Sequence, residues 1–491
     1  MMARRYYTII SFILLILPLF SCQNKKDGIS DIPRGEFWIK QGTDQVLDSW
    51  TRHGMDSSSG IFYTFLDREW NPYKGHVIHP GMISRHVFSY SVGYLLTGEE
   101  KYLERASGIV DYLLENGWDR EYGGWFNALD RKGNIVDSAK DGFLQPYAIT
   151  GLTMYYFVTH DKEVLEYIEQ SHRIMEKYAW DSIYGGYYRS LNRDLSVQET
   201  DKDFSPQLAP VSGYLIYLYL TTGYDVYLEQ MEKIINTVID SMSMPGEPWI
   251  LERFDRSWNY TQETRADSTE INTGHNIEVV WMLLRLYELT GNENYLKKAM
   301  ELQEPLYIFG VSEDTGIWYQ RLGRTDPAHH NNSSPWWIQA YGNMLSLYLY
   351  HETGKDRYLE VYQKGAGAWN RYFIDDEYGG AFLTVNIDGS IEKGSKAVRS
   401  KTSYHSLEHA MLNYIYTNLW VMDKPVKLHF YIEEPGDGEK LYPVPVETGK
   451  IKIGKIKING ELWTEFNAGG KFIRLPASGE MKIEVLIENK K

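Results

Sequence analysis

Two histidines in this 491-residue sequence stand in a pattern that suits proton transfer. His275 is followed three residues later by Glu278, and His405 three residues later by Glu408. On a helix, residues three apart share a face. Imidazole is the side chain best matched to taking or giving a proton near neutral pH. A lone buried histidine is more often a hydrogen-bonded structural residue, but two at one helical phase favour catalysis by both. Arg85, Lys140, Gln207, Trp336, Trp337 and Tyr404 fall at similar phases. With Glu278 and Glu408 they are expected to bind a substrate in one polar, aromatic-lined pocket. An indole facing that pocket offers a flat apolar surface to the C–H groups of a sugar. Of the adjacent Trp336 and Trp337, one is expected to face the core and the other the cavity.

His405-Ser406-Leu407-Glu408-His409 formally matches an inverted zinc-protease pattern. It sits in a helical repeat with no α/β core to frame it, and it offers one ligand pair, so no metal site is read from it. His76-x-x-His79 and His329-His330 fall in predicted loops and are read as solvated residues or residues leading into a helix.

The elements that must position these residues recur along the chain. A helix-like run ends in Thr-Gly, and three residues later Tyr-Leu opens another: Thr97-Gly98, Thr222-Gly223, Thr290-Gly291 and Thr353-Gly354, with Thr159-His160-Asp161 as a degenerate copy. Glycine suits the left-handed position where a helix stops, so each copy reads as a tight pair of antiparallel helices. A second signal, Asp-x-x-Tyr-Gly-Gly, starts at Asp119, Asp181 and Asp375 and reads as a short hairpin joining one pair to the next. After Gly98, residues Tyr102, Leu103, Ala106, Ile109, Val110, Leu113 and Leu114 mark one helical face. The pattern predicts twelve helices, over 36–54, 80–97, 99–116, 141–159, 161–178, 206–222, 225–244, 273–290, 292–309, 335–353, 355–372 and 402–420. Six pairs can form an open solenoid or close into a ring. Without polar capping repeats, an all-α (α/α)6 barrel over residues 36–424 is expected. Alternate helices would then run parallel and bring their N-terminal ends together.

Beyond Pro425 the period changes to two, as in Val426, Leu428, Phe430 and Ile432. Residues 425–491 are expected to form a small β-domain. At the other end, Arg4 and Arg5 precede an apolar run from Ile9 to Phe20 that leads into Ser21 and Cys22, the sole cysteine. The run is too short to span a bilayer and right for a signal peptide. Residues 1–21 therefore read as a lipoprotein signal, Cys22 as the acylated residue and 22–35 as a tether. The expected location is a bacterial cell envelope, periplasmic or surface-exposed, with the membrane reached through that lipid alone.

Composition narrows the partners. A formal charge of −15 argues against nucleic acid, and one cysteine excludes an internal disulfide framework. Aromatic residues make up 14% of the chain, enough to fill a helical core and leave some to stack on sugar rings.

Four segments carry a resemblance. Gly274-His275-Asn276-Ile277-Glu278-Val279-Val280-Trp281-Met282-Leu283-Leu284 resembles the Gly-His-x-x-Glu-x-x-Trp-Leu-Leu segment of the N-acylglucosamine 2-epimerase and cellobiose 2-epimerase superfamily. Lys401-Thr402-Ser403-Tyr404-His405, Trp336-Trp337-Ile338-Gln339-Ala340 and Arg85-His86-Val87-Phe88 are similar to its Lys-x-x-Tyr-His, Trp-Trp-x-Gln-Ala and Arg-x-x-Trp segments. The resemblance implies an (α/α)6 barrel acting on a saccharide without metal or other cofactor. It implies that His275 and His405 are the acid/base pair, that Glu278 orients His275 and that Arg85 stabilises an oxyanion. The chain differs from the superfamily's disaccharide epimerases, which carry a histidine at Gln207, a carboxylate at Tyr341 and a tryptophan at Ser400; several have arginine at Glu408. Two other readings stay open on the same barrel. One is a glycoside or unsaturated-uronyl hydrolase using Glu278 with Glu408 or Asp141; the other is a non-catalytic glycan-binding lipoprotein. The sequence leaves the sugar and the oligomeric state undetermined.

Overall fold

In the computed structural model, residues 33–57, 59–73, 77–261, 269–436 and 438–490 are described. The signal segment, Cys22 and nearly all of the tether lie outside them, as does His76. Twelve helices stand in the expected places among the described residues. The first, α1, runs through Glu36–Lys40, Gln41–Leu47 and Trp50–Gly54. Then come α2 (Pro80–Thr97), α3 (Glu100–Tyr112, extended by Leu113–Gly117), α4 (Leu144–Thr159) and α5 (Lys162–Ile174, extended by Met175–Ala179). α6 is continuous over Phe204–Pro210, Val211–Leu215 and Ile216–Thr222, and α7 covers Asp225–Ser241. The last five are α8 (Thr273–Thr290), α9 (Glu293–Phe309), α10 (Trp336–Thr353), α11 (Asp356–Ala368, then Trp369–Phe373) and α12 (Tyr404–Tyr416, then Thr417–Val421).

Even-numbered helices are buried almost all round, as in α8, where Thr273 to Leu286 are buried apart from His275. α3, α5, α7, α9 and α11 bury one stripe each, such as Tyr102, Ala106, Ile109 and Val110 of α3. The two patterns fit an inner layer touched on every side and an outer layer that faces water. Within the inner layer α2 packs on α4, α4 on α6, α6 on α8, α8 on α10, α10 on α12 and α12 on α2.

The repeat signals act as expected. Gly98, Gly223, Gly291 and Gly354 sit just past their helices at φ of 72°, 68°, 69° and 63°. His160 takes the same left-handed place at φ 54° and bonds Glu439 at 2.7 Å through Nδ1. A non-glycine residue pays a conformational cost there, which this contact helps to offset. In each Asp-x-x-Tyr-Gly-Gly hairpin the aspartate accepts backbone N–H groups two and three residues on. It also meets a buried lysine 21 residues later: Lys140 at 3.2 Å from Asp119, Lys202 at 3.4 Å from Asp181 and Lys396 at 2.6 Å from Asp375. An arginine from another hairpin completes each cluster: Arg193 on Asp119, Arg256 on Asp181 and Arg68 on Asp375.

Of the seven strands that follow α12 among the described residues, four make the main sheet: β1 (Val426–Ile432), β2 (Ile451–Ile458), β3 (Glu461–Trp463) and β4 (Met481–Asn489). They form an antiparallel sheet in the order β1-β4-β2-β3. Val426, Leu428, Phe430 and Ile432 turn one face of β1 onto α2 and α4, where Phe430 meets Phe157 at 5.5 Å. Residues 34–491 make one compact unit. None of the described helices is long and apolar enough to cross a membrane.

Candidate active site

The first turns of all six inner helices converge on one cavity. Arg85 comes from α2, Tyr147 from α4, Phe204 from α6, His275 and Glu278 from α8, Trp336, Trp337 and Tyr341 from α10, and His405 from α12. Helix N-termini present unpaired N–H groups and a positive dipole end, so this rim favours negative charge.

Asn272 caps α8 by accepting the N–H of His275 at 3.2 Å, which fixes that turn. The His275 ring stacks on Phe204 at 4.2 Å and 15°, and its Nδ1 is paired with Glu252 from the loop before α8. Trp337 lies 5.3 Å from the His275 ring and 6.2 Å from the His405 ring, so one indole touches both imidazoles. Gly274 permits this, because a Cβ there would sit 2.4 Å from the Trp337 ring. His405 also meets Trp336 at 5.8 Å and Tyr341 at 5.2 Å.

Arg85 is held over the rings of Tyr147 and Tyr404, at 4.3 and 4.7 Å, and donates to the Ser400 carbonyl at 3.0 Å. Its other terminal nitrogen meets Nε2 of His405. Behind the ring, Nδ1 of His405 stands 3.7 Å from Oε2 of Glu408.

Electrostatics separate the two histidines. Burial pushes the His275 pKa down, but the Glu252 carboxylate outweighs it and raises the value above normal. For His405, burial and then the Arg85 charge both act downward and hold it well below normal. The two imidazoles in one cavity are thus pushed in opposite directions, His275 toward the acid and His405 toward the base of a proton-transfer pair. Burial also raises Glu278.

Several expected placements are corrected. Lys140 does not reach the cavity; it is 2% exposed and spent on Asp119. Gln207 bonds both backbone groups of Tyr187, at 2.7 and 2.8 Å. Gln145 does the same for Trp125, and Asn276 for Ile250. Both Lys140 and Gln207 are therefore members of repeated scaffold sets. Tyr404 and Glu408 stand behind Arg85 and His405 rather than lining the cavity, joined by a 3.2 Å hydrogen bond. Glu278 lines the cavity, but the carboxylate bonded to the His275 ring is Glu252, so it is Glu252 that orients His275. Trp336 and Trp337 both line the cavity, the first buried and the second partly exposed.

His409 packs on Trp369 and Trp38 and bonds Asn343, away from any pairing with His405. Asp141 is turned to Arg399 and the N–H of Phe143. Of the three carboxylates weighed for hydrolysis, Glu278 alone lines the cavity. Residues that sequence reasoning missed are Glu252, Phe204 and Tyr147. Glu252 lies where the Asp-x-x-Tyr-Gly-Gly signal lapses, and that lapse was the available clue.

The N-acylglucosamine 2-epimerase (GlcNAc 2-epimerase) family model matches residues 34–147 and 60–409. The chain belongs to this family. Its resemblance in the Gly274–Leu284 and Lys401–His405 segments thus extends over the whole helical region. A cellobiose 2-epimerase of Bacteroides fragilis is 24% identical over 390 residues, 75% of this chain and 95% of that protein. A D-mannose isomerase of Thermobifida fusca is 21% identical over 272 residues, 53% of this chain and 66% of that protein. Among solved structures, cellobiose 2-epimerase from Spirochaeta thermophila superposes with a TM-score of 0.72 at 21% identity, covering 80% of this chain and 98% of that one. With these relatives the chain is a carbohydrate epimerase or isomerase.

Proposed function

We propose that the chain inverts or isomerises a free reducing sugar at C2, inside a closed (α/α)6 barrel, by proton transfer between His275 and His405. The observation that carries this reading is the single indole of Trp337 in contact with two imidazoles of opposite protonation preference. The cyclic packing of the inner helices, with Arg68 reaching Asp375 across 307 residues, supports closure.

In the open-chain sugar the C1 carbonyl acidifies the hydrogen on C2. As Arg85 turns from Nε2 of His405 to the C1 oxygen, the freed Nε2 takes that proton, and the electron pair moves onto the C1 oxygen as an enediolate. Arg85 and the surrounding helix N-termini stabilise the negative oxygen. Protonated His275 returns a proton to the opposite face of C2, giving the epimer, or to C1 while the O2 hydroxyl proton passes to O1, giving the ketose. Trp337 stacks on the sugar's C–H face. Glu252 keeps His275 charged until the transfer, and Glu278 lies within reach of a substrate hydroxyl.

Incubation of glucose, mannose and cellobiose in D₂O tests this reading. Deuterium at C2 supports it. Release of reducing ends without exchange would mean a hydrolase, and neither outcome with measurable sugar binding would mean a glycan-binding protein. We further propose that residues 1–21 are removed and that Cys22 carries a lipid, with residues 22–35 as a tether. On this proposal the enzyme meets its sugar at a bacterial envelope membrane.

A further inference from the structure

At the far ends of two inner helices from the catalytic pair, a second cluster of titratable groups is assembled. Glu288 lies in the last turn of α8, and His351 and Glu352 lie in the last turn of α10. One oxygen of each glutamate and one ring nitrogen of His351 all fall within 4.8 Å of one another. The side chains are nine-tenths or more buried: Glu288 and His351 are 10% exposed and Glu352 5%.

One atom of this cluster lacks a partner. Nε2 of His351 faces Oε1 of Glu352 across 3.7 Å and makes no hydrogen bond, while the Glu352 and Glu288 carboxyls lie against each other. Buried polar atoms seldom go unsatisfied, and one that does calls for an explanation such as an ion. The His351 ring is fixed by stacking on Trp420 at 4.2 Å and 13°. The charges facing the cluster are Lys450, 3.9 Å from Glu288, Lys471, which also feels the Glu288 charge, and the negative dipole ends of α8 and α10. Lys450 is 60% exposed and free to swing into water.

We propose that Glu288, His351 and Glu352 bind a divalent transition-metal cation. One imidazole nitrogen with two carboxylates favours zinc-like ions over calcium or magnesium, which prefer oxygen alone. Around a tetrahedral Zn²⁺ these donors would stand about 3.3 Å apart, a closure that side-chain rotation supplies. Three protein ligands leave a fourth position to water. The ion would join the last turns of α8 and α10 at the segment before β2, where Lys450 approaches Glu288. Its ligands form no sequence motif, because two are adjacent and the third comes from another repeat.

The test is calorimetric titration of the EDTA-stripped chain with Zn²⁺ at pH 7, for wild type, Glu352→Gln, His351→Ala and Glu252→Gln. The last controls for binding at the other buried carboxylate–histidine pair. Wild type and Glu252→Gln should bind one equivalent and gain in Tm. Glu352→Gln and His351→Ala should bind at least tenfold more weakly and show no gain. Glu352→Gln keeps the residue's size and relieves the carboxyl pair, so it remains informative if His351→Ala fails to fold. No stoichiometric binding, undiminished affinity in Glu352→Gln, or loss in Glu252→Gln alone would overturn the proposal.

Discussion

Glu252 grips the Nδ1 edge of His275 from a loop outside the inner helices, leaving Nε2 of that ring to serve the cavity. The side chains are 21% and 22% exposed, so the pair is only partly screened by water. His405 has no such carboxylate bond; its Nε2 meets Arg85 and its Nδ1 has no hydrogen-bond partner. The two rings are therefore pushed in opposite directions because their neighbours differ.

Glu252→Gln should narrow the pH profile from its alkaline side. Transfer in either direction needs the histidine pair singly protonated, so kcat/KM falls at low pH when both are charged and at high pH when both are neutral. Glu252 holds the His275 pKa up against burial. Without the carboxylate, burial prevails and the alkaline limb should move down by about one pH unit or more. The acid limb, set by His405, should stay in place. An unmoved alkaline limb would show that Glu252 does not tune the acid.

His275→Ala and His405→Ala should each lower the rate of C2 inversion by about 10²–10⁴, the usual worth of a positioned acid or base. NMR of C2 deuteration in D₂O reads this directly. Full activity in both variants would defeat the proton-transfer assignment.

Lys140→Met separates scaffold from site. It leaves the buried Asp119 with Arg193 as its remaining cationic partner. Breaking a buried pair in this way costs about 3 kcal/mol. The chain should lose that stability in urea melts, while KM and kcat measured well below the new Tm stay within a fewfold of wild type. A selective rise in KM would return Lys140 to the substrate.

Much of this was legible because the chain repeats. Four Thr-Gly stops and the degenerate Thr159-His160 place five of the six helix pairs, and the two His-x-x-Glu phases mark the end of the helical layer that carries the cavity. The same periodicity explains the misreadings. Lys140 and Gln207 looked unusual one at a time, yet Asp–Lys pairs 21 residues apart recur at Asp181 and Asp375. A residue that recurs at a fixed place in the repeat serves the scaffold, whereas His275, His405 and Glu252 break it. Glu252 could not be paired with His275 by spacing, because a loop of irregular backbone sets that contact. Nor does helical phase separate a residue on the cavity wall from one just behind it, which is why Tyr404 and Glu408 were placed on the lining.

Cys22→Ser should abolish incorporation of labelled fatty acid in a bacterial host and move the protein from the membrane fraction to the soluble one. Retained membrane association without label would place the anchor elsewhere.

Glu408→Gln should change how stability responds to pH. Glu408 is fully buried, and burial raises its pKa from 4.5 to about 8; Arg285 and the Tyr404 hydroxyl only partly oppose this. A carboxyl whose folded pKa is raised holds its proton in the native state over a range where the unfolded chain has released it. Its contribution is therefore complete below about pH 4.5 and lost as pH climbs toward 8. The pKa difference corresponds to a loss on the order of 4 kcal/mol across that window. The substituted amide would keep the neutral shape and cannot ionise. Urea denaturation from pH 5 to 9 should show wild type weakening relative to Glu408→Gln as pH rises. A difference that stays flat across the range would mean that Glu408 is ionised in the folded protein, with Arg285 or Arg85 as its counter-charge.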